Sequence, residues 1–261
     1  MQRFHSAVFL AVVLLAPSSS ATAADKEVAA ILDKATKALG GEEKLSKVEA
    51  VTWKFTGWMN TLYQGPEHFK LAGDLTVAGL DRLKSELILG DSADNKARTR
   101  SVLNGSNSWL GWDSAPLQPT QRAAALKRSL LLAMIPVTLE PLTDPRFKVE
   151  VGGNENVGNR AAVVLKVTCP DSEIIKISFD KESGLPRKAV GKALLFDDPA
   201  MNLDMELEVT YSNYKDFGGI KTAARIDFAN RMFNRRVEVV QFKVLKKIDP
   251  SSFSPVAQQR R

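Results

Sequence analysis

The chain has 261 residues, 44% hydrophobic and 25% charged, with 16 Gly and 12 Pro, a balance that excludes collagen-like, disordered and coiled-coil architectures. Thirty-six basic against 30 acidic residues give a formal charge of +6, but the basic residues are scattered and not interleaved with aromatics, which argues against a nucleic-acid surface. One cysteine and two histidines exclude an internal disulfide and leave a Cys/His zinc site almost without ligands.

Residues 1–23 read as a cleaved signal peptide. Arg3 supplies the positive start, residues 8–16 an apolar run, and Ala21-Thr22-Ala23 an Ala-x-Ala site with cleavage after Ala23. The run is too short for a helix crossing about 30 Å of hydrocarbon, and no later stretch approaches that length. The expectation is a periplasmic protein, or else an extracellular one, with residues 24–261 forming one domain. Removal of the leader takes His5 with it and leaves His68 as the mature chain's histidine.

Residues 25–39 read as an amphipathic helix. Val28, Ile31, Leu32, Ala35, Ala38 and Leu39 recur at helical spacing, Asp25 is placed to cap the start, and Gly40-Gly41 stops it. The period then becomes two. Val51, Trp53 and Phe55 oppose Thr52, Lys54 and Thr56. Next, Phe69, Leu71, Leu75 and Val77 oppose Lys70, Ala72, Asp74 and Thr76, and Leu83, Leu87 and Leu89 oppose Arg82, Lys84 and Glu86. Such segments are antiparallel strands with one face in water and one in a core. Asn104-Gly105 marks a turn towards Trp109 and Trp112.

The alternation breaks at Pro119. Residues 120–135, carrying Leu126, Leu130, Leu131, Leu132 and Met134, read as a second helix that Pro136 ends. Strand patterns resume over 146–151, 161–167, 173–179, 187–195, 203–214, 222–229 and 235–247. The chain is therefore expected to be mainly β (α+β). Its ten or eleven strands would form a single, strongly curved antiparallel sheet with helices on one side.

Catalytic and metal signatures are missing. There is no G-x-S-x-G elbow for a serine nucleophile, no phosphate loop, no G-x-G-x-x-G and no H-E-x-x-H. Asp197-Asp198 before Pro199 reads as a solvated turn, His68 as a surface residue and Cys169 beside Pro170 as inert packing. No enzymatic activity, cofactor or metal is expected. What remains is apolar surface: two helices of about 15 residues each cover only about 22 Å. The rest of the inner face must close on itself, meet a partner or line a cavity. Residues 129–142 (SLLLAMIPVTLEPL) are the most apolar of the mature chain, and suit either a buried helix with an extended connector or a lid over such a cavity.

Several stretches together resemble one family. They are Ala38-Leu39-Gly40-Gly41 with Lys44-Leu45 and Val48, Val157-Gly158-Asn159-Arg160-Ala161, and Phe179-Asp180-Lys181-Glu182-Ser183-Gly184-Leu185-Pro186. Further on come Tyr211-Ser212-Asn213-Tyr214-Lys215, Gly218-Gly219-Ile220-Lys221, and Ile248-Asp249-Pro250 with Phe253. With these the chain resembles the outer-membrane lipoprotein-sorting superfamily of LolA/LolB-like periplasmic carriers, as a diverged exported member. The resemblance implies an incomplete, half-closed β-barrel whose helices form a lid over a hydrophobic cavity on the concave side. It also implies a non-enzymatic, monomeric carrier of a lipid or lipoprotein acyl chain. Burying about ten methylenes offers roughly 8 kcal/mol before the costs of association. The same fold in a sensor or protein-interaction module would meet envelope proteins instead, and a hydrolytic enzyme would need a polar cluster in the pocket. Face alternation nominates Trp53, Phe55, Phe69, Leu71, Leu87, Leu130, Met134 and Leu139 as ligand-lining residues, each equally readable as plain core.

Overall fold

The computed structural model describes residues 23–61, 69–90, 96–193 and 205–255. Residues 1–22 of the expected leader, His68 and Asp197-Asp198 lie outside that set. Helix α1 (Ala23–Leu39) and the single turn α2 (Glu42–Leu45) lead into β1 (Ala50–Thr61), β2 (Phe69–Ala78), β3 (Arg82–Leu89), β4 (Ala97–Asn104), β5 (Asn107–Trp112) and β6 (Gln118–Thr120). Helix α3 (Ala123–Met134) and the short α4 (Glu140–Thr143) follow. The second run of strands is β7 (Lys148–Val157), β8 (Arg160–Thr168), β9 (Ile174–Asp180), β10 (Pro186–Ala193), β11 (Met205–Asp216), β12 (Lys221–Ala229) and β13 (Phe233–Leu245). A 3-10 turn, Pro250–Phe253, ends the described chain.

All thirteen strands belong to one antiparallel sheet, in the order β6-β5-β4-β3-β2-β1-β13-β12-β11-β10-β9-β8-β7. Each half is a meander of sequential hairpins. The long-range pairing of β1 with β13 joins the first strand to the last at the centre of the sheet. Strands β6 and β7 stay at opposite edges, so the barrel remains open. The count exceeds the expected ten or eleven. β4 escapes the alternation rule because residues 99–103, Thr-Arg-Ser-Val-Leu, are buried on both faces. β6 has three residues and includes Pro119, as an edge position permits. One bulge interrupts the central pairing. Lys54 pairs with Gln241 and Phe55 with Val239, which leaves Val240 turned outward and 61% exposed.

The helices differ slightly from expectation. α1 already runs from Ala23, so Asp25 sits inside its first turn, where its charge favours the positive end of the helix dipole, instead of capping it. α3 is shorter than the 120–135 pattern. The chain turns tightly after Met134, whose carbonyl accepts from the Val137 amide at 2.8 Å.

The core lies between the inner face of the sheet and these helices. Leu39 of α1, Leu130, Leu131 and Leu132 of α3, Leu165, Ile177, Phe179 and Tyr211 are all but completely buried there. Each such side chain contributes roughly 1.5–3 kcal/mol.

Two glycine pairs far apart in sequence meet. A Cβ on Gly40, whose φ is +135°, would lie 2.4 Å from the Gly219 carbonyl oxygen. The segment 180–184 is a docked turn. Asp180 Oδ1 accepts from the amides of Glu182 (3.0 Å) and Ser183 (2.7 Å), Gly184 takes a φ of 77°, and Lys34 of α1 donates to the Lys181 carbonyl at 2.6 Å. No helix among the described residues is long and apolar enough to cross a membrane.

Candidate ligand-binding site

The register of the strands builds the inner wall. Trp53 on β1 faces Leu75 on β2 and Phe242 on β13, with the two aromatic rings edge-on at 5.8 Å. Phe55 faces Gly73 and Val239, and its ring lies over Gly73, where a Cβ would come within 2.8 Å of Phe55 Cζ. A Cβ there would also come within 2.5 Å of the Glu86 carbonyl oxygen, so the ring and the neighbouring strand together require glycine at position 73. Leu71, Leu87 and Val237 form an adjoining buried cluster, continued by Met59, Leu89, Ile226 and Phe228.

Helix α3 fills most of this concavity with its own side chains. Leu126, Leu130, Leu131 and Met134 belong to the same core cluster as Trp53 and Tyr211. The apolar void left over is about 50 Å³, lined by Trp53, Phe55, Leu75, Ala133, Ile226, Phe228, Arg235, Val237 and Val239. A dry cavity that admits benzene is about 150 Å³. The sequence-based expectation of a hollow left uncovered by the helices is therefore corrected. In this state the helix occupies the space, because its apolar residues surround it on more than one side.

Three larger clefts lie elsewhere among the described residues. One of about 410 Å³, more apolar than polar, lies between α3, the β2–β3 turn and residues 144–147 and 169–171. Arg146 pairs there with Asp144 at 2.6 Å and Arg128 with Asp171. One of about 390 Å³ lies between α1 and residues 179–184. The third, of about 900 Å³, separates α1 and α2 from residues 138–143 and carries Asp33, Glu42, Glu49 and Arg82 on its walls.

Polar contacts fasten α3 to the sheet at its middle and at its last turn. The Tyr211 hydroxyl, buried on β11, donates to the Leu132 carbonyl at 2.7 Å and so satisfies a carbonyl in the last turn of the helix. Burial pushes the Tyr211 phenol far above its ordinary range, so the donor keeps its proton. One turn earlier, at mid-helix, Arg128 Nε donates to the Lys192 carbonyl of β10 at 2.8 Å, and the same guanidinium pairs with Asp171. Cys169, beside this contact, is 5% exposed, and burial, reinforced by Asp171, pushes its thiol up to about 11.

Of the nominated residues, Trp53 and Phe55 line the void, and Leu71 and Leu87 adjoin it. Leu130 and Met134 are buried on α3. Phe69 is half-buried at the end of β2, opposite Met59. Leu139, with a φ of 58° at the start of α4, is buried in the same core cluster as Leu130 and Met134 and borders the groove of about 900 Å³, not the apolar void. The nomination omitted Leu75, Ala133, Ile226, Phe228, Arg235, Val237 and Val239. Alternation along β13 carried the signal: Phe233, Arg235 and Val237 share one parity, which turns Arg235 inward. Among the described residues no group of three or more His, Cys, Asp and Glu side chains is placed to hold a metal ion.

No family model matches the chain, and no curated protein matches it in sequence. Solved structures do match. A DUF1329 family protein from Desulfovibrio piger aligns over 88% of this chain and 98% of its own, with a TM-score of 0.55 at 13% identity. A LolA superfamily protein from Nitrosomonas europaea aligns over 87% and 97%, with a TM-score of 0.55 at 12% identity. A domain assigned to outer-membrane lipoprotein sorting from Vibrio parahaemolyticus aligns over 84% and 96%, with a TM-score of 0.54 at 13% identity. The open thirteen-stranded sheet of this chain is thus similar in fold to these DUF1329 and LolA-superfamily structures.

Proposed function

We propose that the chain is an exported, non-enzymatic carrier that buries a lipid or lipoprotein acyl chain against the inner face of its sheet, with α3 shifting to admit it. The observation that carries this reading is an apolar inner wall covered by a helix that separable polar contacts pin at its middle and its last turn. The likeness to lipoprotein-sorting structures supports it.

Magnitudes decide how the helix moves. Leu126, Leu130, Leu131, Leu132 and Met134 together bury apolar surface worth roughly 7–15 kcal/mol. Ten methylenes of an acyl chain return about 8 kcal/mol. The guest returns no more than the lower part of that range, so shifting the last turn, which borders the void at Ala133, costs less than expelling the whole helix. The Arg128 contact at mid-helix stays in place and the Tyr211 contact at the last turn gives way.

Native mass spectrometry of the exported protein, with lipid extraction, tests the reading. One acyl lipid per chain is the expected result. A protein that emerges free of lipid and takes up no fluorescent fatty-acyl probe would end the carrier reading, and capture of an envelope protein by that lipid-free form would favour an interaction module.

A further inference from the structure

We propose that Ser85 and Thr99 receive the polar end of the cargo by donating to an acyl carbonyl oxygen, which makes that cargo an uncharged acyl ester or amide instead of a plain hydrocarbon or an alkyl ether. The inference rests on the carrier reading above and adds the binding residues and the group they recognise.

Strand register places both hydroxyls on the inner face, one strand beyond the apolar wall. Ser85 on β3 stands opposite Leu75, which lines the void, and opposite Ser101 on β4. Thr99 on β4 stands opposite Leu87, and Leu87 stands opposite Gly73, over which the Phe55 ring lies. Ser85 is 6% exposed and Thr99 is fully buried, yet neither hydroxyl has a hydrogen-bond partner among the described residues. Other buried hydroxyls do. Ser108 donates to the Thr120 carbonyl at 3.0 Å, Ser129 to the Ala125 carbonyl at 3.0 Å, and Ser178 to the Glu155 carboxylate.

A buried hydroxyl without a partner gives up its bonds to water and gains none in return. Alanine at 85 and valine at 99 would fill nearly the same space without that cost, so the hydroxyls call for a partner from outside the fold. The two positions are diagonal neighbours on the β3–β4 pair, roughly 7 Å apart at Cβ. Both hydroxyls can therefore reach one oxygen placed between them, each at about 2.8 Å. A carbonyl oxygen suits that place, because it accepts twice and brings no donor of its own. A hydrocarbon offers no acceptor, and a carboxylate would be buried there against two uncharged groups.

The wall beyond the hydroxyls is laid out for a tail. Thr99, Leu87, Gly73, Phe55 and Val239 form one row across β4, β3, β2, β1 and β13, about 19 Å long at roughly 4.8 Å per strand. The row is free of polar side chains from Leu87 onward, and Phe55 and Val239 line the void together with Ala133 of α3. A carbonyl held at Ser85 and Thr99 thus sends its chain beneath the last turn of the helix.

The test compares monododecanoylglycerol with 1-O-dodecylglycerol, which share a head and a tail and differ in one carbonyl, by calorimetric titration of the whole protein. The wild type should bind the ester about tenfold more tightly than the ether. Combining Ser85→Ala with Thr99→Val should remove that preference by weakening the ester while leaving the ether unchanged, and the urea midpoint should not fall. Equal affinities in the wild type, a comparison that needs no variant, would overturn the proposal and leave the carrier reading standing. So would a preference that survives in the double variant, or a double variant less stable than the wild type, which would show the hydroxyls bonded within the fold. Failure of the wild type to bind either compound would overturn both.

Discussion

The hydroxyl of Tyr211 donates a 2.7 Å hydrogen bond to the carbonyl of Leu132, 79 positions away in sequence, and through it strand β11 holds the last turn of α3. A buried carbonyl there would otherwise lack a donor. Tyr211→Phe keeps the ring and removes the bond. It should lower stability by about 1–3 kcal/mol, read as a shift in denaturation midpoint. Hydrogen exchange should quicken in residues 123–134 more than in the strands. Uniform acceleration across the sheet would contradict a specific role in holding the helix.

Gly40 and Gly41 make a controlled pair. Both take positive φ, 135° and 89°, yet a Cβ on Gly40 would strike the Gly219 carbonyl whereas one on Gly41 meets nothing within 4 Å. Gly41→Ala should cost only backbone strain, about 1–2 kcal/mol. Gly40→Ala adds overpacking and should cost roughly 2–4 kcal/mol. Equal losses in thermal or urea unfolding would show that the approach of the two glycine turns is not what fixes Gly at position 40.

Asp180 ties acid stability to the docked turn. The Arg160 guanidinium, bonded at 2.7 Å, and the Ser183 amide hold its carboxyl well below the ordinary value of 3.8, against the opposing effect of burial. Because the folded-state pKa is depressed, its contribution is complete above that ordinary value. It fades as pH falls below 3.8 through the folded-state pKa. Asp180→Asn should cost about 2 kcal/mol at neutral pH and flatten the decline in stability at strongly acid pH. An unchanged acid limb in the variant would count against this pair.

Cys169 should report opening of the region beneath α3. With its thiol pushed up to about 11 and its side chain buried, it should react slowly with a disulfide reagent at pH 8 and rapidly once unfolded. Fast labelling of the native protein would mean that the segment around Asp171 opens readily.

Much of this architecture is legible from local chemistry. The period-two runs of β1, β2 and β3 declare their faces because one side is wet, and the turn at Asp180 to Gly184 follows from a carboxylate that bonds two amides and a glycine with positive φ. β4 is not legible in this way, since burial on both faces erases the alternation. Of the site, Trp53 and Phe55 are found by parity. Arg235 is concealed by its neighbour: Arg235-Arg236 reads as a surface basic pair until the strand's parity separates them.

The sequence by itself determined the class of the protein, because side-chain alternation and turn residues act within a few positions of one another. It also determined which face of β1, β2 and β3 is apolar. Only the tertiary structure decided how full the concavity is, and which polar groups hold the helix inside it. Those outcomes depend on the meeting of β1 with β13, Gly40 with Gly219 and Tyr211 with Leu132. No local pattern encodes contacts between segments so far apart along the chain.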